Sequence, residues 1–396
     1  MKKFSAPLLF LSVLILAILL GDSLPLSAKR FFYTLSLAIK ELMIFVLPAV
    51  IFSLVFLSLS KIRVNVLKFL LLILPLICGS NFVNTLISYV LGVFCVQAEY
   101  LSSLRMVSHE ATALDPLFSL RLPSLLSNDF ALLAGVVCGM TSGTLAQRNP
   151  DLQLLGMRHQ AMQEKISGAL ECFSKGFFKV LLPLMPIFMF GTTVKLAHDG
   201  MISLIVSEYL RIAGIFVLSA YGYVLLQLLV LSRFNGSLWM EYLRNLLPAA
   251  ITGFGSMSSA AALPLSLKAA EKNSTNKENA AIIVPCTVNV HLVGDCFFIP
   301  FVALSILTSF GQPLPDFSTY LIFAAHFVIA KFAVAAVPGG GILVMLPILQ
   351  AYLGLNSDML GLITALYVLF DSFITCCNVA GNGAMAIIFD RIAGKS

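Results

Sequence analysis

Apolar runs of membrane-spanning length recur along this chain, near 5–22, 41–60, 65–95, 129–147, 176–197, 208–232, 280–310 and 357–390. About 20 continuous apolar residues cross a bilayer as one helix. The pattern predicts an all-α polytopic membrane protein with eight transmembrane helices. The runs are continuous rather than alternating, which excludes a membrane β-barrel. Two other segments, near 240–270 and 320–352, are apolar but broken by Gly, Pro and Ser. They hold GFGSMSSAAALPL (253–265) and AAVPGGGILVMLP (335–347). Small residues and a proline at mid-segment predict two re-entrant helical hairpins that enter the membrane and turn back. Irregular backbone at that depth is tolerated only where it is buried in protein or lines a cavity.

The last run carries a polar stripe. Asp371, Thr375, Asn378 and Asn382 are spaced four, three and four apart, one face of a helix. Lipid satisfies none of these groups, so an intramembrane carboxylate is a site candidate by default. The alternative is helix packing with small polar residues as glue, which suits Thr375 and Asn378 better than Asp371. Gly381 and Gly383 weaken helix propensity at the end of the stripe.

Composition agrees with a membrane protein: of 396 residues, 59% are hydrophobic and 11% charged, against about a quarter charged in soluble domains. None of the eight cysteines forms a CxxC or Cys/His cluster, so a disulfide framework or zinc site is not expected. Nothing points to nucleic acid. The start, with Lys2 and Lys3 before an apolar core, is expected to be an uncleaved first helix rather than a signal peptide. Eight spans with two hairpins gather Lys61, Arg63, Lys68, Arg148, Arg158, Lys165, Lys175, Lys268, Lys272, Lys277, Arg391 and Lys395 on the side of Lys2. By the positive-inside rule that side, with both termini, is cytoplasmic. The polar stretch 148–175 is expected to be a cytoplasmic helix joining two halves, and a bacterial inner membrane suits the compact loops.

Three pieces now line up: SMSSAAALPLSLKAAEKN (256–273), AAVPGGGILVMLPIL (335–349) and NVAGN (378–382), with a broken span VPCTVNVHLVGDCFFIP (284–300) among them. The arrangement resembles the dicarboxylate/amino acid:cation symporter family, the glutamate transporters and their prokaryotic homologues. The resemblance implies a homotrimer in the lipid bilayer and an elevator mechanism. Scaffold helices 1–2 would occupy 1–62 and scaffold helices 4–5 129–200. The transport domain would take helix 3 (63–96) and a core at 205–396. It implies substrate contacts from Ser258 and Ser259 at the first hairpin tip, Val337, Pro338 and Gly339 at the second, and Asp371, Thr375 and Asn378 on the last helix. Asp371 would pair with the substrate ammonium and Asn378 would donate to its carboxylate.

Departures from the family shape the expected substrate. Ile374 and Met257 stand where acidic-amino-acid carriers place an arginine, and Asp295 stands for a threonine. A guanidinium partner for a side-chain carboxylate is therefore missing. The expected cargo is a small, neutral amino acid, with a cationic one as alternative through Asp295. The cation positions are altered too. Asn289, His291, Asn378 and Asn382 are the candidate metal ligands, while Val293, Asn382 and Lys331 replace acidic or hydroxyl ligands. A register shift in the 284–300 segment would bring Asp295 toward a cation. His291 and Asp295, one turn apart if helical, with Lys331, are coupling candidates. No resident cofactor is expected; sodium or a proton is the possible coupling ion, and proton coupling or exchange is favoured over sodium. A passive channel, a sodium-coupled dicarboxylate symporter and a non-transporting receptor stay open. An enzyme is not expected, because no nucleophile or metal triad accompanies His291 and Asp295.

Overall fold

The computed structural model describes residues 5–21, 23–60, 72–103, 114–120, 122–123, 130–131, 133–135, 137–139, 141–142, 153–198, 202–334 and 339–393. Helix α1 is Ser5–Gly21, α2 Leu26–Ser60, α3 Leu74–Ser103, α4 Gln153–His198 and α5 Ile202–Leu231. Then come α6 Gly236–Ser256, α7 Ser259–Asn273, α8 Lys277–Thr287 and α9 Val293–Ser309. Helix α10 is Phe317–Ala330, α11 Gly340–Leu353 and α12 Ser357–Ala393, with a 3-10 turn at Lys331–Ala333. No strand occurs among the described residues. Leu74–Cys95, Arg211–Leu231 and Ser357–Ala393 are long and apolar enough to cross a membrane, and Val293–Ser309, Phe317–Ala333 and Gly340–Leu353 are shorter apolar helices. About half of the run at 129–147 lies outside the described residues, as do Lys2, Lys3, Lys61, Arg63, Lys68, Arg148 and Lys395.

The polar stretch ahead of the fifth run is not a separate linker helix. It continues straight into that run as one helix of 46 residues, α4, despite Pro183 and Pro186 inside it. The two broken segments do split as their small residues predict. Helix α6 ends at Met257, whose left-handed backbone (φ 49°) turns the chain, and its N–H caps the Gly253 carbonyl. Ser258 then opens α7, its side chain accepting from the Ala261 N–H. The two helices pack along each other. Helices α10 and α11 pair in the same way.

Helix α12 is the hub. At 37 residues it is about 55 Å long, and it packs against α5, α6, α7, α8 and α9. Gly381 and Gly383 do not end it; the helix runs through them. Their missing side chains let Val293 of α9 and Leu246 of α6 close onto α12, and packing outweighs the roughly 1 kcal/mol propensity cost of each glycine. Helix α9, buried along nearly its whole length, lies between α3 and α12. Helices α1, α2 and α4 form a second group. It meets the start of α12 through Asp358, which accepts from the Tyr33 hydroxyl at 3.1 Å and pairs with Lys195 at 3.0 Å.

Candidate functional site

The four stripe residues of α12 are all buried, as is Ile374 beside them. Helix α6 runs antiparallel alongside: Leu246 abuts Gly383, Gly253 faces Thr375 and Val379, and Phe254 packs edge-on against Phe373. That register carries the Met257–Ser258 turn to the level of Asp371–Ile374. Ser259 is buried there, and Met257 is buried and apolar. From the other side, Gly339 donates its backbone N–H to Asp371 Oδ2 at 2.8 Å. Gly339 holds φ 73°, a conformation open to glycine at no steric cost. Thr375 donates to Asp371 Oδ1 at 3.1 Å. Val337 and Pro338 lie outside the described residues.

Asn378 ties α12 to the break before α9. Its Oδ1 accepts from Gly294 N at 2.7 Å and Asp295 N at 3.4 Å, while Nδ2 donates to Asp295 Oδ2 at 2.7 Å. Gly294 is needed because any side chain there would strike the Ile374 carbonyl. One Asn378 N–H is thus spent inside the protein, leaving one for a ligand.

Asp295 is 1% exposed and fully occupied. Besides Asn378, it accepts from the Tyr367 hydroxyl at 2.8 Å and lies 3.5 Å from Lys331 Nζ. Lys331 is 0% exposed. Its ammonium sits 4.2 Å from the centre of the Phe327 ring and makes no hydrogen bond among the described residues. A lysine at a membrane surface would extend its tip to water; this one does not.

The expected pairing of His291 with Asp295 does not form. The chain leaves helical geometry after Thr287 and re-enters it only at Val293, so the two are not on adjacent turns of one helix. His291 instead contacts Asn382 Oδ1 through Nδ1 and Ser80 Oγ through Nε2, both at 2.9 Å. The Asn382 oxygen assigns the proton to Nδ1, and Nε2 accepts from the Ser80 hydroxyl. Among the four metal candidates, Asn378 and Asn382 have their oxygens engaged, and His291 uses both nitrogens. Among the described residues Asn289 Oδ1 has no partner, and on the facing α3 neither side-chain polar atom of Asn84 has one. A hard cation wants several oxygens, normally with a carboxylate. These groups are neutral and mostly engaged, so they fit a cation poorly.

Two participants, Tyr367 and Ser80, escaped the sequence reading. Tyr367 sits four residues before Asp371 on the same stripe, a signal that was there to find. Ser80 gave none among the polar residues of α3. A side chain at Gly341 would meet the Tyr367 hydroxyl and Asp295 Oδ1.

The profile of the sodium:dicarboxylate symporter family matches residues 7–392. An uncharacterised symporter of Haemophilus influenzae is 26% identical over 252 residues, 61% of this chain and 55% of its own length. The serine/threonine transporter SstT of Streptococcus thermophilus is 24% identical over 217 residues, 51% of this chain and 53% of its own. SstT of a Streptococcus agalactiae serotype III strain is 21% identical over 252 residues, 61% of each. The chain therefore spans between half and two thirds of the curated relatives it matches.

Proposed function

The chain belongs to the sodium:dicarboxylate symporter family, a family of transporters and not of enzymes, and from that premise we propose that it carries a small neutral amino acid across a membrane. The observation that supports this reading is the buried Asp371 carboxylate. It sits between the Met257–Ser258 turn and the Gly339 backbone, in reach of a substrate ammonium. The substrate carboxylate is received by the N-terminal turn of α7 and the remaining Asn378 N–H. Side-chain selectivity follows from charge. Ile374 and Met257 offer an acidic side chain nothing, and Asp295 is already matched by Lys331 and so offers little to a basic one. Names of relatives as serine/threonine transporters agree with a small neutral cargo.

Flux runs by amino acid exchange or with protons rather than sodium, because the candidate metal ligands are neutral and mostly engaged. The protein works as a homotrimer in a bacterial inner membrane with both termini cytoplasmic. The α3 and α5–α12 body moves as an elevator past α1, α2 and α4. On that motion the Asp358 contacts to Tyr33 and Lys195 must part. The test is counterflow in proteoliposomes. Vesicles preloaded with L-serine should take up labelled L-serine saturably, with competition from L-threonine and L-alanine but not from L-glutamate, L-aspartate or L-lysine. Saturable micromolar uptake of glutamate, or current without saturable uptake, refutes the proposal.

A further inference from the structure

Four features meet at one buried point. Lys331 ends α10, Asp295 begins α9, and Asn378 and Tyr367 come from α12. The Lys331 ammonium is fully buried and, among the described residues, has no hydrogen bond and one opposite charge, Asp295 at 3.5 Å. Its remaining neighbour with charge preference is the face of Phe327, which attracts cations. The Asp295 carboxylate, in turn, keeps two neutral donors, Tyr367 at 2.8 Å and Asn378 at 2.7 Å, and one cation. A carboxylate without its counter-charge is costly in such surroundings. The second buried acid here, Asp371 on α12, has donors but no cation among the described residues. The junction of α9, α10 and α12 therefore requires a positive charge, and covalent attachment guarantees one.

We propose that Lys331 is a tethered cation, doing at this junction what a freely bound monovalent cation would otherwise do. Its stem crosses from the end of α10 and places the charge on Asp295. The junction then assembles in the same form whatever inorganic cation is in solution. The inference rests on the reading of this chain as a carrier, and it adds why that carrier dispenses with sodium at this place. A passive buried ion pair predicts only instability when broken. A tethered cation predicts more: removing the side chain creates a site for a free cation, and Asp295 is what holds it.

The test uses the full-length protein in detergent, with no amino acid present, and reads the melting temperature. Wild type should melt alike in sodium, potassium and choline chloride at equal ionic strength. Lys331→Ala removes the atoms of a propylammonium ion. It should melt lower in choline and recover at least half of the loss, saturably, in n-propylammonium or sodium chloride. At ten times its dissociation constant, a cation that binds only the folded state raises the folded-to-unfolded ratio about elevenfold. Lys331→Ala combined with Asp295→Asn should show no such response. If Lys331→Ala does not fold, Lys331→Ser is the second variant, with an oxygen at the same position, and it should melt in a sodium-dependent way. Equal melting of the single variants in choline, sodium and propylammonium overturns the proposal. So does a saturable sodium response in wild type that Asp295→Asn abolishes. Because no amino acid enters the assay, failure of L-serine counterflow would count against the transport reading alone.

Discussion

Gly341→Ala is the sharpest probe of the buried network. The added methyl would overlap both the Tyr367 hydroxyl and Asp295 Oδ1 and lie 3.0 Å from Tyr367 Cζ. Those two oxygens are the ends of one 2.8 Å hydrogen bond. Neither end moves freely: Asp295 is also held by Asn378, and the Tyr367 ring packs edge-on against Phe298 at 6.0 Å. Overpacking costs about 1–3 kcal/mol. Losing a hydrogen bond to a charged acceptor costs about 1.5–3 kcal/mol. Alanine's helix preference over glycine returns about 1 kcal/mol. The net expectation is a destabilisation of roughly 1.5–5 kcal/mol. Tyr367→Phe removes the oxygen and loses the same bond without the clash. In the combined variant that bond is lost once, not twice, so the two single costs should exceed the double cost by about 1.5–3 kcal/mol. Thermal or denaturant melting of the four proteins measures this. Strictly additive costs, or Gly341→Ala melting at the wild-type temperature, would show that the Tyr367–Asp295 bond is not made beside Gly341.

Asp371→Asn keeps an oxygen to accept the Gly339 N–H, so the protein should fold, while an ammonium ligand loses its charged partner. That loss is worth ~3–5 kcal/mol, or about a hundred- to several-thousand-fold in affinity. The melting shift given by L-serine should vanish, and a shift of wild-type size removes Asp371 from the site. At the start of α10, the Asp316 carboxylate is held below its usual range by hydrogen bonds from Thr319 and Ser318. A depressed folded value gives stability that is present above the unfolded value and lost as pH falls through the folded one. Asp316→Ala should therefore melt slightly below wild type at neutral pH, and the gap should close as pH drops below about 4.

Local spacing was enough to read the α12 stripe, because a helix of any environment puts residues four, three and four apart on one face. Small residues were enough to predict a break within 253–265, and the chain turns there, at Met257–Ser258. Readings that extended local rules through a packed interior went astray. Gly381 and Gly383 weaken helix propensity by local rules, yet inside α12 they are contact points for Val293 and Leu246. His291 and Asp295 looked like neighbours because helix was assumed across residues 288–292, where the chain opens instead. The partner of Asp295 was beyond any local rule. Lys331 comes 36 residues later, and only the return of α10 against α9 brings it to 3.5 Å. That one contact changes the electrostatics of the whole site. Asp371 and Asp295 together would give the site two negative charges; with Lys331 the sum is one. A zwitterionic amino acid leaves that balance unchanged. Helix N-termini supply the remainder. Helix α7 starts at the turn level with Asp371, and α11 starts from Gly339, whose N–H binds it. At about half a positive charge each, the two together offset roughly one negative charge. On the proposed reading as a carrier, a site neutral in that sense would close around a neutral substrate without a metal ion, whereas an acidic substrate would bring one charge too many.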